Sequence, residues 1–141
     1  MTDIWELQAQ SHIPVIPTNT MRREDGTAIM GAGLALECAK RYPGIDKIYG
    51  KYLRMVSVPA IPMLVSDVEP PVLLFPTKFH FKDPSHIDLI ATNLRWCNLS
   101  LSGTSLAIPR LGCGLGGLDW GVVRPVIEEY LTDVKYVFCE P

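Results

Sequence analysis

The chain lacks an excess of either charge: Lys and Arg number 13 against 15 for Asp and Glu, a net charge of −2. Wholesale attraction to nucleic acid or to an anionic membrane is thereby excluded, and any nucleic-acid contact must be local. Long hydrophobic runs are missing as well, because Pro, Gly or charge interrupts each one before it could span a bilayer. The amino end, Met1-Thr2-Asp3-Ile4-Trp5-Glu6, has neither a basic n-region nor an apolar h-region, so the expected compartment is the cytoplasm. The 4 cysteines, Cys38, Cys97, Cys113 and Cys139, form no C-x-x-C pair. Their scatter argues against a zinc site or a disulfide framework and leaves free buried thiols as the expectation. Internal repeats and low-complexity segments are absent too.

What remains is a chain of 141 residues with 48% hydrophobic content, long enough to bury a core and expected to form a single domain over 1–141. Its organising stretch runs from Leu106 to Trp120. Ser105 to Ile108 reads as a buried strand, Gly112 to Gly117 as a loop, and Trp120 onward as a helix. In that loop, Gly112, Gly114, Gly116 and Gly117 flank only Cys113 and Leu115. Backbone N–H groups can therefore approach a ligand closely, and the helix behind adds a positive dipole end. Phosphate oxygens suit this cradle; a tight connection packed on a neighbouring strand is the alternative. A second loop of small residues, Met30-Gly31-Ala32-Gly33, opens a helix upstream. Cys113 is the one thiol placed where it could act, yet no His stands in a recognisable partnership with it.

Taken in order, Asp3 to Leu7 reads as a short edge segment and Ile13 to Pro17 as a brief strand limited by its two prolines. Arg22 to Thr27 reads as a solvated charged turn, whose paired arginines have a phosphate-gripping alternative. Leu34, Leu36, Cys38 and Ala39 predict a helix from Gly33 that Pro43-Gly44 stops, followed by a short helix over Ile45 to Leu53. Met63 to Val65 and Val72 to Phe75 read as strands, the second running into the loop Pro76-Thr77-Lys78-Phe79-His80-Phe81-Lys82-Asp83-Pro84. Ser85 fits an N-cap with Asp88 three residues on, and Ile87, Ile90, Leu94 and Cys97 trace one helical face. Val122 to Leu131 predicts the last helix, with Pro125 near its first turn, and Tyr136 to Cys139 a closing strand.

Strands alternating with helices imply a three-layer α/β domain with a central mixed, largely parallel sheet. In such sheets ligands sit at the carboxyl ends of the strands. Asn19, Lys78 and the Gly112 loop each follow a strand, so they are expected on one edge with the Met30 loop beside them.

At these residues the sequence resembles the macrodomain family, and more closely its branch containing the DarG antitoxin and the terminal ADP-ribose protein glycohydrolase. Asp3-Ile4 resembles the family's opening Gly-Asp-Ile, with Thr2 in place of the glycine. Pro17-Thr18-Asn19-Thr20 is similar to its Val-Asn-Thr segment, and Met30-Gly31-Ala32-Gly33-Leu34-Ala35 to Met-Gly-x-Gly-Ile-Ala. Phe75 to Phe81 resembles Phe-Pro-Thr-Lys-x-His-Trp, and Leu111 to Trp120 the Gly-Cys-Gly-x-Gly-Gly-Leu-x-Trp stretch. The motifs follow one another in the family's order over nearly the whole chain.

The resemblance implies a three-layer α/β/α macrodomain that takes ADP-ribose in a cleft at the strand carboxyl ends, without cofactor or metal; separately, the chain is expected to be a monomer. Asp3, beside Ile4, would accept from the adenine amino group, and Asn19 would hold the distal ribose. Met30, Gly31, Ala32 and Gly33, together with Gly112, Cys113, Gly114, Leu115, Gly116 and Gly117, would hold the pyrophosphate. Lys78, next to Thr77, would be the catalytic residue, and His80 either a loop-shaping hydrogen bonder or a base. A lysine can attack the opened distal ribose to form a Schiff base, or assist the leaving group as an acid or electrostatically. Pairing with phosphate is the bland alternative for Lys78.

Two departures from the family pattern stand out. The insertion Arg22 to Ala28 lengthens the segment between Asn19 and Met30, and Gly116 occupies the position of the protein glycohydrolase's catalytic aspartate. Asp119, three positions later, reads as a helix cap. The expected activity is removal of ADP-ribose from a modified macromolecule, a DNA base or a protein carboxylate. The alternatives are a non-catalytic ADP-ribose reader and a hydrolase of ADP-ribose 1″-phosphate or O-acetyl-ADP-ribose.

Overall fold

The computed structural model describes residues 3–56 and 61–139. Its first element is a helix, α1 (Ile4–Ala9), where a short edge segment was expected. Asp3 causes the difference: its carboxylate accepts from the Trp5 N–H at 3.1 Å, capping a turn that buries Ile4, Trp5 and Leu7 together. Strand β1 (Ile13–Thr18) follows, then α2 (Gly33–Arg41) and α3 (Ile45–Met55), close to their expected bounds. The rest are β2 (Met63–Val65), β3 (Val72–Pro76), α4 (Ile87–Ser100), β4 (Ser105–Ile108), a single 3₁₀ turn (Gly114–Gly116), α5 (Trp120–Tyr130) and β5 (Lys135–Phe138).

The sheet has the order β2-β3-β1-β4-β5, with β2 antiparallel and the other four parallel. Despite Pro14 and Pro17, β1 is the central strand. It pairs with β3 over four residues, Val15 to Thr18, but with β4 only at Ile13 and Pro14.

Alternation along the strands sorts that core into two layers. Ile16, Val72, Leu74 and Ala107 point to the face covered by α1, α2 and α3, beside Trp5, Cys38, Ile45 and Tyr49. Val15, Leu73, Phe75, Leu106 and Ile108 point to the other, against Ile90, Leu94 and Cys97 of α4 and Val123 and Ile127 of α5. Two buried faces account for the near-continuous apolar runs of β3 and β4. The result is a three-layer α/β/α fold around a mixed sheet.

Two local expectations give way. Ser85 does not cap α4, whose N-cap is His86 with no side-chain bond; Ser85 is buried and turned toward the loop after β4. Pro125 lies in the second turn of α5, after the helix has been started by Asp119, whose carboxylate accepts from Gly121 N at 2.9 Å.

Candidate functional site

Strands β3, β1 and β4 are adjacent and parallel, so their carboxyl ends deliver Thr77-Lys78, Asn19 and the Gly112 loop to one edge of the sheet. Hydrogen bonds join these segments. Thr77 N donates to Thr18 O at 2.9 Å, and both the N–H and the hydroxyl of Thr20 donate to Phe79 O, at 3.0 and 2.9 Å. Asn19 is buried, donating from Nδ2 to Ile29 O at 3.0 Å and accepting from Met21 N at 2.9 Å, which pins the Met30 loop to the end of β1. Asn19 thus ties the end of β1 to the Met30 loop.

The Met30 loop ends in α2, whose N-cap Ala32 offers no capping side chain. The space where side chains would stand at Gly31 and Gly33 is empty to 4 Å. An uncapped helix start behind open backbone is a place where N–H groups lack protein partners. Trp5 Nε1 donates to Glu37 at 3.1 Å, one turn past Gly33, so α1 packs against α2.

The second loop divides in two. At Gly114 and Gly117 the space beside the backbone is open. At Gly112 and Gly116 it is filled. A Cβ on Gly112 would meet Leu118, Ile90 and Ser85, and one on Gly116 would overlap the Ser85 hydroxyl. Gly116 is buried, and its carbonyl accepts from Ser85 N at 2.9 Å. His86 N in turn donates to Thr77 O at 2.9 Å. Ser85 therefore latches the glycine loop to the strand end that carries Lys78. Cys113 is a half-buried thiol that donates to Leu111 O at 3.6 Å, and burial pushes its pKa up, which keeps it protonated and argues against a nucleophilic role. Leu115 is 81% exposed.

Lys78 is half-buried, and no hydrogen bond or ion pair ties its ammonium to another described residue. Thr77 beside it is buried and held on both sides. His80 accepts from Lys82 N at 3.1 Å and stacks on Phe81 with ring centres 4.7 Å apart, the geometry of a loop-shaping residue. In the 22–28 insertion Arg22 to Asp25 are exposed around a turn, as expected of a solvated charged segment, and the turn is ordered as a hairpin. It closes at the Arg22–Ala28 bridge and docks on α3 through Ala28 N to Asp46 O at 2.9 Å. Arg23 is occupied there, donating to Ala28 O at 2.9 Å, while Arg22 is exposed.

No protein-family model matches the chain. The solved macrodomain of Mycobacterium tuberculosis DarG superposes with a TM-score of 0.79 at 30% identity, over 100% of this chain and 95% of that one. The chain belongs to the DarG-like macrodomain family. The macrodomain of Thermus aquaticus DarG matches at a TM-score of 0.76 and 28% identity, over 96% and 93% of the two chains. A structure of Thermosipho africanus DarTG in complex with ADP-ribose matches at 0.79 and 28% identity, over 97% of this macrodomain and 40% of that chain. By sequence, the Mycobacterium tuberculosis DNA ADP-ribosyl glycohydrolase is 37% identical over 124 residues, 80% of this chain. The macrodomain spans 35% of that relative's length, and 17% of the Thermosipho africanus fusion of a DNA ADP-ribosyl transferase with a DNA ADP-ribosyl glycohydrolase.

Two supports of the macrodomain's edge escaped the sequence reading. Asn93 of α4 is 1% exposed and donates to Pro76 O at 2.9 Å, fixing β3 two residues before Lys78; its Oδ1 has no partner. The available signal was a polar residue on the apolar stripe of Leu89, Ile90, Leu94 and Cys97. Ser85 is spaced from Asp88 like the start of a capping box, yet its side chain packs against Gly112 and Gly116 instead. A separate open cavity of about 530 Å³ lies at the opposite edge, by the amino ends of β1, β4 and β5, lined in part by Ile13, Ser105, Asp133 and Lys135. The loops that bring chemistry together are not there.

Proposed function

We propose that this macrodomain removes ADP-ribose from a modified DNA base, with Lys78 as the catalytic residue. The observation that supports it is Lys78 itself: a half-buried residue whose side chain has no partner among the described residues, on a strand end latched to both glycine loops. The relatives' activity on DNA favours DNA over a protein carboxylate as the macromolecule.

In this reading the pyrophosphate lies between the open backbone at Gly31 and Gly33 and that at Gly114 and Gly117, with the α2 dipole behind it. Met30, Ala32, Gly112, Cys113, Leu115 and Gly116 shape the two loops. Asp3, with Ile4 at the start of α1, receives the adenine N6, and Asn19 bonds the distal ribose. The Lys78 amine adds to C1″ of the opened ribose and expels the base nitrogen. Water then hydrolyses the resulting Schiff base, so that one water is consumed and the lysine is regenerated. Alternatively, its ammonium assists the departing base as an acid.

Release of free ADP-ribose from modified DNA, modified protein, ADP-ribose 1″-phosphate and O-acetyl-ADP-ribose tests the proposal. Wild type is expected to act on the DNA, and Lys78→Ala to lower turnover roughly 10²–10⁴-fold while calorimetry shows ADP-ribose still bound. No release by wild type, or undiminished release by Lys78→Ala, overturns it. One observation favours a second reading, a reader without turnover: Ser85 fills the space where a side chain at position 116 would stand, so no carboxylate can act from there. Tight ADP-ribose binding with zero product from every substrate would establish that reading.

A further inference from the structure

Of the chain's 4 phenylalanines, the two exposed ones sit together in the loop directly after Lys78. Phe79 is 36% and Phe81 41% exposed, whereas Phe75 is fully buried. Among the described residues the other large exposed hydrophobics are not aromatic: Met55, Ile61, Leu99, Leu115, Val122 and Val137. Two neighbouring phenyl rings, each more than a third exposed beside a proposed site, leave apolar surface that a ligand could cover.

The loop is built to hold them out. Its base is fixed by the two Thr20 bonds to Phe79 O, its turn by Asp83 N to His80 O at 3.0 Å, and its crown by the His80–Phe81 stack. Phe79 leans on His86 with ring centres 5.6 Å apart, and the Lys82 ammonium lies 5.7 Å from the Phe81 ring centre. Two partly exposed rings, each backed by a histidine, beside an ammonium match what an unpaired nucleobase and its phosphate require. Charge limits the extent: Asp83 and Asp88 offset Lys78 and Lys82 within the same stretch, so a long phosphate track has no support here.

We infer that the Phe79–Lys82 loop is a stacking platform for the nucleotide next to the modified base. This rests on the proposed action on DNA. It goes beyond it in assigning substrate selection to residues outside the ADP-ribose cleft. The contact involves bases more than phosphates, so its salt dependence is shallow.

The test compares binding of free ADP-ribose, an ADP-ribosylated nucleoside, an ADP-ribosylated single-stranded oligonucleotide and an ADP-ribosylated peptide, in a Lys78→Ala background so that nothing is consumed. The oligonucleotide is expected to bind roughly 5- to 100-fold more tightly than the nucleoside. Phe81→Ala should abolish most of that gain and Phe81→Trp restore it, with affinity for free ADP-ribose and the melting temperature unchanged. In the Lys78-intact protein, kcat/KM on the oligonucleotide alone should fall with Phe81→Ala. Equal affinity for nucleoside and oligonucleotide, a preference for the peptide, or equal loss on all ligands overturns the platform. Failure of the hydrolase reading shows differently, as absence of turnover by the Lys78-intact protein while these binding differences still decide the platform.

Discussion

Gly116→Ala isolates the latch between the second glycine loop and the Lys78 strand end. Gly116 has no left-handed backbone angle, so alanine there meets no conformational penalty and the cost is purely one of space. The new methyl would overlap the Ser85 hydroxyl and stand 3.1 Å from Ser85 Cβ. Rotating the hydroxyl relieves the first contact, while the second needs the backbone to move. Overpacking of this kind costs about 1–3 kcal/mol. At about 2–4 °C per kcal/mol for a chain of this size, the melting temperature should fall by about 2–12 °C. Ser85→Gly removes both opposing atoms, so the penalty should shrink by about 0.5–3 kcal/mol in that background, read as a double-mutant cycle by thermal or urea denaturation. Gly114→Ala is the control. Its φ of +70° with nothing within 4 Å predicts a backbone cost of about 1–2 kcal/mol that does not couple to Ser85. A Gly116→Ala protein that melts with wild type, or one whose penalty is unchanged by Ser85→Gly, refutes the latch.

Gly50→Ala should destabilise although alanine is the better helix former by about 0.8–1.0 kcal/mol, because its methyl runs into the Gly26 carbonyl of the docked hairpin. Faster tryptic cleavage at Arg22 or Arg23 and a lower melting temperature would report this; a higher one would contradict it. Asn93→Ala leaves the Pro76 carbonyl buried without a donor and should cost about 1–3 kcal/mol in urea denaturation. Burial pushes the Cys38 and Cys97 thiols up to about 12 and the Tyr49 phenol well above its usual value. A raised folded-state pKa means stability complete below the unfolded-state thiol and phenol pKa values and lost as pH rises through the folded ones. Denaturation midpoints should therefore be insensitive to these groups below about pH 8 and fall steadily from about pH 9 upward. A midpoint flat to pH 11 would show that these groups titrate alike in both states.

The glycine positions divide what could be read from the chain and what could not. Their clustering at Met30–Gly33 and Gly112–Gly117 marked both loops, and period-2 and period-3.6 patterns placed most strands and helices within a residue or two. Those signals are local, set by each residue's own conformational freedom and by which face of an element is apolar. The order of motifs pointed to the family for the same reason: each motif is a contiguous stretch. Which glycines face open space and which face Ser85, that Asn93 holds the end of β3, and that the 22–28 insertion docks on Gly50 depend on segments distant in the chain meeting across the sheet. So does the setting of Lys78, which no neighbour in sequence determines. Identity and local geometry were written in the residues; the division between ligand-facing and packing backbone came into being only when β3, β1 and β4 aligned their carboxyl ends.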